Sequence, residues 1–232
     1  MQGIKSVNKF KIGKNLACLL ILVFLFAFSP LATAVLAAQG NGGPNPGLPD
    51  HIILSWTEDP LTTQTISWRT GTDITQDSIQ YMPASEFNGS FEGAWEVTGE
   101  RSDLYDGHYH FEATLQGLTP GTEYVYRVGR EGAWSEPATF TTATADSCFS
   151  FLYMGDVQNG HEIWGEMLEQ VAADNPGLKF ALLGGDLVDK GSSITEWQEF
   201  FAAAWPVFKD LSLMPAVGNH DYTELFINSF AL

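Results

Sequence analysis

Three short polar clusters in the C-terminal part of the chain combine carboxylates, amides and a histidine directly after apolar runs. They are residues 155–158 (GDVQ), 185–189 (GDLVD) and 218–221 (GNHD). Carboxylate and amide oxygens bind hard divalent or trivalent metal ions, and a carboxylate can bridge two ions. Two ions about 3.5–4 Å apart can clamp a phosphoryl group between them. The residue types therefore suit metal-assisted phosphoryl chemistry.

The spacing of the clusters predicts that they meet in space. Asp186 follows Asp156 by 30 residues, and Asn219 follows Asp186 by 33 residues. Each interval matches one strand–helix–strand unit, so the chain returns each time to the same edge of a parallel sheet. That edge is the carboxyl end of the strands, where open α/β folds bind ligands.

Apolar runs and helical periodicity predict the elements that hold these clusters. Strands are expected at 150–156, 179–186 and 213–217, with helices at 161–174 and 195–209 between them. In the first helix the spacing of apolar residues predicts a buried side made of Ile163, Met167, Leu168 and Val171. His161 is expected to be a surface residue at the start of this helix, with a position over the polar clusters as the alternative.

The region from 50 to 144 has the pattern of an all-β sandwich. Short runs rich in β-branched and aromatic residues are separated by Gly, Pro, Asn and Asp, and lie at 51–56, 64–70, 77–82, 95–100, 108–115, 123–129 and 138–142. About seven such strands at regular spacing are typical of a β-sandwich. The turn at 118–122, directly before the strand that contains Tyr124, resembles the L-x-P-x-T-x-Y corner of fibronectin type III domains.

The three clusters, in this order and spacing, resemble the first three motifs of the calcineurin-like metallophosphoesterases. The preceding β-sandwich makes the purple acid phosphatases the most similar branch. The resemblance implies a dinuclear centre of Fe, Zn or Mn, in which Asp156 binds one metal, Asp186 bridges both and Asn219 binds the second. It also implies that His220 steadies the phosphate and the leaving group, and that the nucleophile is a metal-bound hydroxide. The expected enzyme is a hydrolase of phosphate mono- or diesters.

The chain departs from the family pattern at three places. Asp189 stands where purple acid phosphatases have an iron-binding tyrosine, and Gln158 stands where the wider superfamily usually has a histidine. Asp189 is therefore open to two interpretations, support for the site or a plain turn residue. The later histidine motifs of the family are absent, so residues 147–232 are expected to form a partial catalytic domain. Such a chain is expected to bind metal weakly and to be weakly active or inactive.

The N-terminal segment predicts export from the cytoplasm. Residues 1–15 are polar and basic, residues 16–38 are almost wholly apolar, and Ala32-Thr33-Ala34 fits a signal-peptidase site. We expect a signal peptide at 1–38 and a Gly- and Pro-rich linker at 39–49, with an uncleaved membrane anchor as the alternative. Either reading indicates a secreted, extracellular or cell-envelope protein.

Composition limits the partners. With 11 Lys+Arg against 28 Asp+Glu the net charge is −17, which argues against binding of nucleic acid by charge. The two cysteines, Cys18 and Cys148, exclude a disulfide scaffold. The expected partner is a phosphate ester, and an uncovered strand edge favours a homo-oligomer or a missing C-terminal part. The alternative function is an extracellular binding or adhesion module with a non-catalytic phosphatase remnant.

Overall fold

The computed structural model describes residues 47–71, 73–104, 107–145, 148–222 and 224–231. The predicted signal peptide and most of the predicted linker, residues 39–46, lie outside these ranges. Within the described ranges, none of the helices has the length and apolar character needed to cross a membrane.

The N-terminal half is a sandwich of two antiparallel sheets. Its strands are β1 (Asp50–Ser55), β2 (Gln64–Thr70), β3 (Ser78–Pro83), β4 (Trp95–Thr98), β5 (Glu100–Asp103), β6 (Tyr109–Leu115), β7 (Glu123–Arg130), β8 (Ala133–Trp134) and β9 (Ala138–Thr141). One sheet has the order β1-β2-β6-β5, and the other has the order β4-β3-β7-β8 with β9 also paired to β7. The turn before β7 is held by a hydrogen bond of 3.0 Å from the Thr119 backbone N–H to the Tyr124 hydroxyl. The expected sandwich is therefore confirmed.

Residues 95–100, expected as one strand, form the whole of β4 and the first residue of β5, which belong to different sheets. The chain crosses between the sheets at Gly99, where a Cβ would lie 2.7 Å from the Trp68 ring. Only a residue without a side chain can pass over the buried Trp68 at this distance, which explains the break in the expected strand.

The C-terminal half alternates strands and helices as the sequence predicted. Its elements are β10 (Ser150–Met154), α1 (His161–Asp174), β11 (Leu178–Leu183), α2 (Ile194–Phe208), β12 (Ser212–Pro215) and α3 (Glu224–Ser229). The sheet order is β10-β11-β12 with parallel pairing throughout. The fold is thus a β-rich domain followed by an α/β domain with three strand ends at one edge. We call this the carboxyl-terminal edge.

Helix α1 buries Leu168 and packs Met167 against the core as expected, but its buried side is rotated away from Ile163. Ile163 is 74% exposed, whereas Trp164, Gly165 and Leu168 are buried. Gly165 sets this rotation, because a Cβ there would lie 3.0 Å from the Cβ of Ala203 on α2. The side of α1 that carries Gly165 faces α2, because only a glycine allows the two helices to approach so closely. The spacing of apolar residues gives no information on such a glycine contact. The prediction for Ile163 was therefore wrong.

Strand β1 packs against both halves of the molecule. Ile52 and Leu54 belong to the sandwich core, whereas Ile53 between them belongs to the core of the α/β domain. This follows from the alternation of side chains along a strand. The His51 ring stacks on Phe201 of α2 with centroids 4.5 Å apart, and the Tyr126 hydroxyl donates to the Lys209 carbonyl at 2.7 Å. The sandwich thus supports the α/β domain from one side.

The burial of His51 in this interface leads us to expect a lower free energy of unfolding in acid. Burial lowers the pKa of His51 from 6.5 to about 3, against the opposing effect of Asp50. The folded protein keeps His51 neutral while the unfolded chain takes up a proton near pH 6.5, so the contribution is lost as pH falls from about 6.5 towards 3. The slope from this group is at most about 1.4 kcal/mol per pH unit. Urea unfolding at several pH values measures it. His51→Phe keeps an aromatic ring against Phe201 and is expected to flatten this slope. An identical slope in both proteins would contradict the assignment.

Candidate metal centre

The three polar clusters lie side by side at the carboxyl-terminal edge. The backbone N–H of Asp156 donates to the Gly185 carbonyl at 3.1 Å, and the N–H of Gly184 donates to the Met154 carbonyl at 2.7 Å. These bonds join the first loop (155–160) to the second loop (184–193). The third loop (216–222) begins with the Ala216 N–H, which donates to the Leu183 carbonyl at 2.7 Å. The parallel strands therefore bring the clusters together.

Asp156 and Asp186 occupy equivalent positions at the ends of neighbouring strands and have the same backbone conformation. Both have φ of 54°, in the left-handed region that residues other than glycine rarely adopt. This conformation costs roughly 1–2 kcal/mol per residue, and Asp tolerates it better than most residues. Non-glycine residues with such strain cluster at functional sites, so the matched pair marks this edge as a candidate site.

Gly218 allows the third loop to approach Asp186. A Cβ on Gly218 would overlap the backbone nitrogen and Oδ1 of Asp186. The backbone N–H of His220 donates to the same Oδ1 at 3.1 Å. Asp186 is thus half-buried between the second and third loops. Asp156 on the first loop and Asn219 on the third loop are exposed.

Asp221, to which the sequence analysis gave no role, fastens the second loop to the third. Its side chain is fully buried, and Oδ1 accepts from the N–H groups of Leu187 at 2.7 Å and Val188 at 3.0 Å. Its Oδ2 accepts from the N–H of Gly218 at 3.0 Å. The sequence hinted at this role only in that Asp221 is the last residue of the third cluster and was not among the proposed metal ligands. Asp221 positions the loops that carry Asp186 and Asn219.

His220 is held at the opening of the site by Asp189. Its Nδ1 lies 2.7 Å from the Asp189 carbonyl oxygen and 3.6 Å from Asp189 Oδ1. The bond to that carbonyl raises the pKa of His220, and the charges of Asp186, Asp189 and Asp221 add to it against some desolvation. The imidazolium therefore persists above the ordinary pKa of histidine. The short contact uses the backbone carbonyl of Asp189, which any residue would supply, so both interpretations of the Asp189 side chain stay predictions.

His161 is buried, contrary to the prediction of a surface residue. Its Nε2 lies 2.8 Å from the Leu187 carbonyl oxygen, and its ring packs edge-on against Phe200. The ring therefore ties the start of α1 to the second loop. The sequence placed His161 correctly at the helix start but contained no sign of a loop 26 residues away.

The donors available at this edge suit a hard metal ion. Within the described ranges, no group of three or more His, Cys, Asp or Glu residues is arranged to hold a metal. Amide side chains also carry oxygen donors, and the first and third loops contain Gln158 and Asn219. The side-chain oxygen Oε1 of Gln158 is buried without a hydrogen-bond partner in the described part of the chain. The three loops thus carry carboxylate and amide oxygens, the donor types that hard cations bind.

The sandwich offers no comparable set of donors in its described residues. His108 directly precedes β6, and His110 lies within it. His110 is buried, and its Nε2 lies 3.6 Å from Glu112 Oε2. This single carboxylate contact fits a packed histidine better than a metal ligand.

Comparison with protein families matches both halves of the chain. Residues 49–142 match the purple acid phosphatase N-terminal domain, and residues 149–231 match the calcineurin-like phosphoesterase family. A curated relative, the probable inactive purple acid phosphatase 24 of Arabidopsis thaliana, is 25% identical over 134 residues. This match covers 50% of the chain and 22% of the relative.

Solved structures share the fold. A purple acid phosphatase, PPD1, from yellow lupin (Lupinus luteus) seeds has a TM-score of 0.61 at 19% identity, covering 80% of this chain and 39% of that one. The structure of PhoD has a TM-score of 0.55 at 12% identity, covering 78% of this chain and 41% of that one. The chain thus spans about two fifths of the length of these two proteins. The solved structures show the shared fold, and the two family matches together identify the chain as purple acid phosphatase-like, with a calcineurin-like phosphoesterase region at residues 149–231.

Proposed function

We propose that the chain carries the metal site of an exported phosphoesterase that hydrolyses phosphate mono- or diesters. Asp156, Asp186 and Asn219 hold the metal, which is Fe, Zn or Mn, and His220 contacts the phosphate. The observation that carries the proposal is the junction at Asp186. In the first loop, the Asp156 N–H donates to the carbonyl of Gly185, the residue before Asp186. In the third loop, the His220 N–H donates to the Asp186 carboxylate. Export rests on the basic and apolar N-terminal segment.

The chemistry follows from the positions of Asp186 and His220. A bound metal centre would supply Lewis-acid polarisation of the phosphoryl group. The Asp189 carbonyl can only accept a hydrogen bond, so Nδ1 of His220 carries the proton there. This leaves Nε2 for the substrate, as a donor to a phosphate or leaving-group oxygen when the ring is cationic. The raised pKa of His220 keeps more of that form near neutral pH.

The activity proposed for this chain is low. Among the residues that the structure describes, no group of three or more His, Cys, Asp or Glu residues is arranged to hold a metal, whereas a two-metal centre needs many ligands. The relative in Arabidopsis thaliana that shares 25% identity is named a probable inactive purple acid phosphatase. We therefore expect weak metal binding and slow turnover. Stoichiometric loading with two metals and robust hydrolysis would contradict this proposal.

Asp186→Asn tests the site. The substitution keeps the shape of the side chain and removes its charge, so Mn²⁺ affinity is expected to fall about tenfold or more. Hydrolysis of a chromogenic phosphate ester is expected to fall to the uncatalysed background. The matched control is Asp174→Asn, an exposed acid at the end of α1, which is expected to change neither quantity. Equal Mn²⁺ affinity in the Asp186→Asn variant and the unmodified chain would refute the role of Asp186.

A second candidate function is a binding module with a phosphatase remnant. The scarcity of charged donors in the described part of the site and the name of the Arabidopsis thaliana relative favour it. In that case the unmodified chain and Asp186→Asn would show the same absence of metal binding and hydrolysis, which separates the two functions in one experiment.

A further inference from the structure

A polar cavity of about 420 Å³ lies in the sandwich domain, on the outer face of the β4-β3-β7-β8 sheet. Its walls come from β3, β4, the turn between β7 and β8, and the segment before β3. This volume is within the range of small-molecule sites. All of its lining residues belong to the sandwich, so the cavity is separate from the loops of the proposed metal site.

The side chains beside this cavity are held in a fixed arrangement. The Arg127 guanidinium lies over both the Phe91 and the Trp134 rings, 4.5 Å from each centroid. Its Nε and Nη2 donate to Gln80 Oε1 at 3.0 and 2.7 Å, and Gln80 Nε2 donates to Glu96 Oε2 at 2.8 Å. Gln80 pairs in register with Glu96 on β4 and with Arg127 on β7, so the three share one face. A ligand that meets side chains already held in place loses less entropy on binding.

A buried ion pair forms another wall of the cavity. The Asp77 side chain is fully buried, and its Oδ1 accepts from Arg130 Nη1 at 3.3 Å while Oδ2 accepts from the Trp68 indole N–H at 3.1 Å. Burial raises the pKa of Asp77, against the effect of these two bonds. A buried ion pair is weak evidence for stability, whereas a perturbed titratable group in a cleft is a candidate for binding.

The mixture of charges around the cavity favours an uncharged ligand. Glu96 and Glu131 are exposed at its rim and repel an anion such as a phosphate ester, whereas Arg130 repels a compact cation. A hydroxyl both donates and accepts, so neighbouring hydroxyls can bond to a carboxylate and a guanidinium together. An aromatic ring such as that of Trp134 supplies apolar contact area for the C–H groups of a sugar ring.

We propose that this cavity binds a neutral saccharide, with Trp134 against the sugar ring and the Glu96 and Glu131 carboxylates accepting from its hydroxyls. The proposal goes beyond the proposed hydrolysis and does not depend on it, because the α/β domain contributes no residue to the cavity. Its consequence is that the sandwich attaches the chain to a glycan.

Calorimetric titration of the full chain tests the proposal with neutral tetrasaccharides of glucose, xylose, mannose and N-acetylglucosamine. At least one is expected to bind with a Kd of about 1 mM or lower. Trp134→Ala and Glu131→Ala are each expected to weaken that binding about tenfold, through loss of ring contact and of a charge-assisted hydrogen bond. The matched control is Trp95→Ala, which is expected to leave the affinity unchanged. Trp95 precedes Glu96 on β4, so its side chain lies on the opposite face, where it packs against Tyr81 and is 52% exposed.

Urea unfolding of the same variants separates a binding role from a structural one. Glu131 is exposed in the turn between β7 and β8, so Glu131→Ala is expected to unfold like the unmodified chain even if Trp134→Ala loses stability with its Arg127 contact. Weaker saccharide binding by a stably folded Glu131→Ala protein supports the proposal. Equal binding by all variants, or no binding of the four neutral saccharides, would overturn it. Tighter binding of spermidine or of a galacturonic acid tetramer than of every neutral saccharide would also overturn it.

Discussion

Replacement of Asp221 by alanine is expected to lower the free energy of unfolding by about 3–5 kcal/mol. The carboxylate accepts three backbone hydrogen bonds, from Leu187, Val188 and Gly218, and the side chain is fully buried. Each buried N–H left without a partner costs about 1–3 kcal/mol, although local relaxation recovers part of the sum. Urea unfolding of the metal-free chain measures the loss.

The same substitution is expected to weaken Mn²⁺ binding at a distance from the ligands, because Asp221 fixes the third loop against the second. Asp221→Asn is the graded variant. Its remaining side-chain oxygen can still accept from the N–H groups of Leu187 and Val188. Its free energy of unfolding is expected to lie between those of the unmodified chain and Asp221→Ala. Asp174→Ala removes an exposed carboxylate and serves as the control, with an expected change within about 0.5 kcal/mol. A change below about 1 kcal/mol for Asp221→Ala would show that the loops do not depend on this side chain.

Gly218→Ala is expected to destabilise the fold by about 3 kcal/mol and to displace Asp186. The added Cβ would overlap both the backbone nitrogen and Oδ1 of Asp186. Steric excess in a packed region typically costs about 1–3 kcal/mol, and a rigid backbone neighbour places this site at the upper end. The displaced carboxylate is expected to lose at least about tenfold in Mn²⁺ affinity. Urea unfolding and Mn²⁺ titration measure the two effects.

Gly177→Ala provides the matched control, because a Cβ at Gly177 meets no atom within 4 Å. Its stability and Mn²⁺ affinity are expected to match those of the unmodified chain closely. If Gly218→Ala also kept both values, the close approach of the third loop to Asp186 would be absent from the protein in solution.

The arrangement of the α/β domain was predictable because each step depended on local sequence. Apolar runs of strand length, separated by helical periodicity, can form only a few connections, and parallel strands return the chain to one edge. Helix α1 spans His161–Asp174, the range that the helical periodicity of its apolar residues predicted. The proximity of Asp156 and Asp186 followed from the same reasoning.

The contacts between distant segments were not predictable. The sequence of β1 shows a run of apolar residues, but not that Ile53 contacts a second domain while Ile52 and Leu54 contact the first. The burial of His161 depends on the Leu187 carbonyl, and the exposure of Ile163 depends on α2. In each case the partner is chosen by tertiary packing, which local periodicity does not contain.

The position of bound manganese tests the central claim most directly. Crystals of the full chain soaked in Mn²⁺ and measured for anomalous scattering are expected to show a peak about 2.0–2.6 Å from carboxylate oxygens of Asp156 and Asp186. A peak at another location, or no peak at saturating Mn²⁺, would contradict the claim that these loops form a metal site.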